Sequence, residues 1–222
     1  MAGMSGHCCS HETVFDGTST AFRRALIAVI AINAALFLIE MTAGQLAGSK
    51  ALQADALDFA GDTATYAISL LVIGRPLLWR ARAAFLKGLS LAAMGLWVLA
   101  STAWQVLVLG VPSAGVMSVV GLLALAANVA SVLILMRWRD GDANVRSVWL
   151  CSRNDAIGNV AVIGAAALVF ATGTAWPDLA VATLMAGLFL SSAVQIVRRS
   201  LSEMAEGTSA DGAGHRHART QP

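Results

Sequence analysis

An all-α fold of six membrane-crossing helices, with both termini in the cytoplasm, is what this sequence predicts. Three observations predict it. The 222 residues are 57% hydrophobic and only 13% charged, with mean hydropathy +0.70. A soluble domain would carry about 25% charged residues. The apolar residues fall into six segments, each near the roughly 20 residues that span a bilayer. The basic residues then sort to one side. With the N-terminus inside, Arg23, Arg24, Arg75, Arg80, Arg82, Lys87, Arg137, Arg139, Arg146, Arg153, Arg198, Arg199, Arg216 and Arg219 lie on or near the cytoplasmic side, and only Lys50 lies outside. Basic residues accumulate on the inner side of membrane proteins, and a wrong span count would scramble this split. The net charge of +2 gives no reason to expect a nucleic-acid partner.

The chain divides into a cytoplasmic tail over 1–22, a six-helix transmembrane domain over 23–202 and a disordered tail over 203–222. The first tail is polar and lacks the apolar stretch of a signal peptide. Arg23 and Arg24 mark the membrane border. The spans fall at about 25–47, 52–74, 84–108, 115–136, 147–171 and 178–197, from hydropathy and length. The links are short, and Gly and Pro punctuate three of them. Beyond about residue 203 the sequence is Gly-, Ser- and Ala-containing and aperiodic, a composition that does not bury a core.

Away from the span borders the acids are Glu40, Asp55, Asp58, Asp62 and Asp155, with the thiol Cys151 beside the last. A charge in a span is costly and calls for a pathway, a partner or a bound cation. Asp58 and Asp62 are four apart, so a helix stacks them on one face. Cys151 and Asp155 repeat that spacing in the fifth span. Two such helices side by side supply four ligands, the number a tetrahedral divalent site needs. The thiolate makes the set softer than magnesium or calcium requires.

Each group also has a plainer reading. The two aspartates could be a hydrogen-bonded packing pair, though no basic partner for them is expected in any span. Cys151 alone would be a small buried apolar residue. Asp55, near the outer mouth of the second span, reads as a helix cap or a water-facing attractor of cations, with direct ligation secondary. Glu40 could bond Asn33 or Asn128, or relay protons. Asn128, Asn154 and Asn159 read as interhelical hydrogen-bonding groups. His7, Cys8, Cys9 and His11 form a compact set of soft and borderline metal ligands in the N-terminal tail, or a tail that happens to contain them.

These features resemble the cation diffusion facilitator family. Glu40-Met41-Thr42-Ala43-Gly44 and Gly48-Ser49-Lys50-Ala51-Leu52 look like the end of the family's first span and its loop. Ala54-Asp55-Ala56-Leu57-Asp58 through Asp62 looks like its second-span motif. Asn144-Val145-Arg146 through Cys151 and Asp155 looks like its fifth span, with Cys151 where the family commonly has His. Asp178-Leu179 and the run to Arg198 fit its sixth. The resemblance covers about residues 23 to 204, nearly all of the chain expected to be ordered.

The resemblance implies a divalent transition-metal efflux transporter, a metal/proton antiporter and not an enzyme. Its metal ligands are Asp58, Asp62, Cys151 and Asp155. Its substrate is Zn2+ or Cd2+ first, with Co2+ also possible. The protein is expected as a multi-pass protein of a bacterial inner membrane, embedded in the lipid bilayer, and as a possible homodimer. It is expected to be a short member without the family's C-terminal cytoplasmic domain, with the Cys8/Cys9 tail taking over some metal handling. Two other classes compete. An intramembrane aspartyl protease would pair Asp62 with Asp155 across two helices, leaving Asp58 and Cys151 surplus. A non-transporting membrane metal-binding protein would share the ligands.

Overall fold

The computed structural model describes residues 19–71, 77–108, 110–140 and 143–217. Six long helices follow in order: α1 (Thr20–Ala47), α2 (Lys50–Leu71), α3 (Leu77–Val108), α4 (Ala114–Leu135), α5 (Ala143–Thr172) and α6 (Trp176–His217), with a 3-10 turn at Met136–Trp138 after α4. Among the described residues there is no strand. The six expected spans are thus six helices of a polytopic membrane protein. Five of them are long and apolar enough to cross a membrane, α2 being the exception. Its three aspartates lower its hydropathy, so its place in the bundle comes from its neighbours.

Local chemistry sets the ends. Ser19 caps α1, its Oγ accepting from the Phe22 N–H at 3.2 Å, a preferred N-cap arrangement. Gly48 closes α1 at φ 67, a left-handed conformation that glycine adopts without a Cβ clash, and its N–H donates to the Gln45 carbonyl. The chain therefore reverses within two residues, and α2 runs back along α1. The buried stripe of α1 is Phe22, Leu26, Val29, Asn33, Leu36, Glu40, Gly44 and Ala47. That is the three-and-four spacing of one helix face. The opposite surfaces expose Leu38, Leu46, Leu71, Trp104 and Phe170, which suits lipid.

Two units emerge from the packing. α1 packs on α2 and on α4, and α4 packs on α5, giving a four-helix group. α3 and α6 form the most extensive pairing, and α2 and α5 border it. Glycines bring the pair together. A Cβ on Gly88 would lie 2.8 Å from Val197 Cγ2, and one on Gly95 would lie 3.0 Å from Leu190 Cγ. Small residues let helix backbones approach in this way. Gly88→Leu is expected to destabilise the protein by about 1–3 kcal/mol, the usual cost of overpacking. A fall in detergent melting temperature would register it.

Two elements differ from the sequence expectation. α3 begins at Leu77, several residues before the predicted start. α6 continues to His217, through residues that read as disordered tail. Helix propagation costs little once a helix is nucleated, and an i,i+4 pair, Arg199 Nε to Glu203 Oε1 at 2.9 Å, supports the extension.

Candidate metal site

α2 carries Asp58 and Asp62 one turn apart, as the spacing predicts. Asp62 is 9% exposed. Tyr66, one further turn along, donates its hydroxyl to Asp62 Oδ2. The Tyr66 Oη also lies 3.4 Å from Ser152 Oγ on α5. Asp155, likewise on α5, stands within hydrogen-bonding reach of both Asp58 and Asp62. The second and fifth helices therefore do bring these carboxylates together.

Asp58, Asp62 and Asp155 face a cavity of about 360 Å³ between the four-helix group and the α3–α6 pair. Met94, Met185 and Phe189 supply apolar wall, and Ser90 and Ser192 supply hydroxyls. Among the described residues, no group of three or more His, Cys, Asp and Glu is closed tightly enough to cage a metal ion. The three carboxylates are neighbours around a cavity, not a finished coordination shell. Cys151 lies on α5 one helical turn before Asp155; its side chain is outside the described residues. So are His7, Cys8, Cys9 and His11.

Two expectations are corrected. Asp55 is not at a water-facing mouth. It is 1% exposed, and its Oδ2 accepts from Asn159 Nδ2 at 2.6 Å. Asn128 Nδ2 in turn donates to Asn159 Oδ1 at 2.8 Å. This chain links α2, α5 and α4, so Asn128 and Asn159 do bond between helices, while the side chain of Asn154 lies outside the described residues. The second correction concerns the missing counter-charge. Lys87, assigned from sequence to the cytoplasmic border, sits in α3 and lines the same cavity as Asp58 and Asp62.

Glu40 is fully buried, and among the described residues none meets its carboxylate oxygens in full hydrogen-bonding geometry, though Asp55 stands within hydrogen-bonding reach. Its neighbouring charges are Asp55 and, next, Asp58. Neither suggested bond to Asn33 or Asn128 is formed: Asn33 Nδ2 donates to the Val29 carbonyl, and Asn128 Nδ2 to Asn159.

Asp178 on α6 was read from sequence only as the start of the sixth span. It is fully buried. Its carboxylate accepts from Ser49 Oγ at 2.6 Å and from the backbone N–H groups of Lys50 at 2.7 Å and Ala51 at 3.1 Å. The first N–H groups of a helix lack intrahelical partners. Asp178 thus caps α2 from another helix and ties the site-bearing helix to α6. The only sequence hint is an acid at the start of a span.

A profile of the cation efflux transmembrane domain matches residues 81–205. Zinc transporter ZitB of Escherichia coli is 28% identical over 220 residues, 93% of this chain and 69% of the relative. The metal cation efflux system protein CzcD of Cupriavidus metallidurans is 27% identical over 200 residues, 85% of this chain and 63% of the relative. ZitB of Pectobacterium atrosepticum is 29% identical over 212 residues, 86% of this chain and 64% of the relative. With the profile spanning more than half of the sequence and the carboxylates of α2 and α5 gathered at one cavity, the chain belongs to the cation efflux, or cation diffusion facilitator, family.

Proposed function

We propose that this protein exports a divalent transition-metal cation, zinc or cadmium first, in exchange for protons. The observation that carries the reading is the meeting of Asp58, Asp62 and Asp155 at one cavity inside the helix bundle. Cys151, one turn before Asp155, would complete four ligands from two helices. A thiolate among carboxylates favours a borderline-to-soft ion over magnesium or calcium. The names of the relatives, zinc transporter and metal cation efflux protein, agree with that choice.

Proton coupling follows from the ligand chemistry. Carboxylates and a thiol crowded in a low-dielectric interior do not all stay ionised, and they share protons among them. A metal must displace those protons to bind, and returning protons release the metal. The cavity lies at the seam between the two packing units. Movement at that seam would open it to either side in turn. A bacterial inner membrane is the proposed setting.

A protease dyad of Asp62 and Asp155 is geometrically available, because the two are neighbours. Asp58 on the same cavity and the family assignment favour transport over hydrolysis.

Cys151→His tests the metal preference. The variant is expected to keep transporting zinc, with its rate for cadmium relative to zinc reduced by about tenfold as the soft ligand is lost. A panel of divalent ions in proteoliposome flux assays measures it. An unchanged zinc-to-cadmium ratio would remove Cys151 from the ligand set.

A further inference from the structure

The cavity that gathers the three carboxylates is also lined by a cationic side chain. Lys87 lines it beside Asp58, Asp62 and Asp155, and is the one basic residue among its described lining residues. Its charge acts on both Asp58 and Asp62. Depth supports the pairing. α2 and α3 are consecutive and packed on each other. Asp62 lies about two and a half turns before the end of α2, and Lys87 lies a little under three turns into α3. The two therefore stand at the same level of the bundle.

The carrier of this lysine matters. The carboxylates belong to α2 and α5, on the four-helix group. Lys87 belongs to the α3–α6 pair, and its neighbour Gly88 sets the close approach of that pair, within 2.8 Å of Val197 Cγ2 for an added Cβ. The backbone beneath Lys87 thus packs most closely on α6, while α2 touches the same helix more lightly. Relative movement of the two units would carry the ammonium toward the acids or away from them.

Resting on the transport reading above, we propose that Lys87 is a tethered counter-cation that occupies the carboxylate site between transport events and must be displaced by the arriving metal. The ammonium is a compact point charge on a flexible stem, able to balance negative charge without forming a coordination shell. It offsets part of the cost of holding unpaired carboxylates away from water. It also competes with the substrate, which weakens metal binding and speeds release. A lysine serving only as a border anchor would do neither.

The test is zinc binding and zinc flux on the full-length protein, with Lys87→Gln and Lys87→Arg. For Lys87→Gln, removal of a unit charge near the site is expected to tighten equilibrium zinc binding by about tenfold. KM for zinc should fall with it, and kcat should fall because release slows. Lys87→Arg, which keeps the charge, should stay near wild type in affinity. Unchanged or weaker zinc binding in Lys87→Gln overturns the proposal, as does equal tightening in both variants. Wild-type protein that binds no zinc and transports none would instead overturn the transport reading, and the counter-cation with it.

Discussion

Asp62→Ala is expected to lower metal-dependent flux in proteoliposomes by more than about 100-fold, beyond the loss usual for outer-shell partners of a metal site. Asp62 is nearly buried and has Asp155 within reach from the facing helix. No other residue of α2 occupies that point, since Asp58 lies a full turn away. The fold should survive the change. Tyr66 loses its carboxylate acceptor, but its hydroxyl keeps Ser152 Oγ at 3.4 Å as an alternative. Deleting a carboxylate from an acid cluster also relieves like-charge repulsion. Normal helix content and elution with lost flux is the predicted outcome. Robust flux would mean the site is elsewhere.

The second large effect belongs to a residue outside the carboxylate cavity. Asp178→Ala removes one acceptor from Ser49 Oγ and from two backbone N–H groups at the start of α2. Hydrogen bonds to a charged group are worth about 1.5–3 kcal/mol each, and orphaned buried donors add desolvation cost. Because the bonds share one carboxylate, their loss is not additive, and a total of about 3–5 kcal/mol is expected. Ser49 Oγ can still accept from the Leu52 N–H at 3.0 Å, so one part of the cap persists. Denaturation in detergent measures the loss. Transport should fall as well, because α2 is no longer tied to α6. Asp178→Asn, which keeps one acceptor oxygen, should fall between the two. An Asp178→Ala protein as stable as wild type would show that the cap is dispensable.

The contrast between these two aspartates shows what a sequence discloses. Asp58 and Asp62 were legible because their relation is local: four residues apart on one helix means one face. Asp155 was legible by the same rule on α5, and its meeting with α2 followed from the family resemblance. Asp178 was not legible in this way, because its partners lie 127 to 129 residues away. Asp55 was misplaced for a related reason. Its position near a span end suggested water, but Asn159 reaches it from another helix. Lys87 was not paired with the acids because basic residues usually mark membrane borders, and that rule does not say which side chains they meet. Only the packing of α3 shows that this lysine faces the acids.

The helices themselves were legible from apolar length, except where length was not the deciding quantity. α2 falls short of the apolarity of the other five, yet its buried residues pack among α1, α3, α5 and α6. The end of α6 was missed because composition alone cannot say whether a nucleated helix stops.

The central claim is metal/proton exchange at the carboxylates of α2 and α5. It is tested most directly in proteoliposomes carrying an imposed pH difference, with zinc entry and internal pH followed together. Zinc should enter as protons leave, at a rate that rises with the pH difference, and both movements should disappear in Asp62→Ala. Zinc entry that proceeds without proton movement, or that persists in Asp62→Ala, would contradict the account.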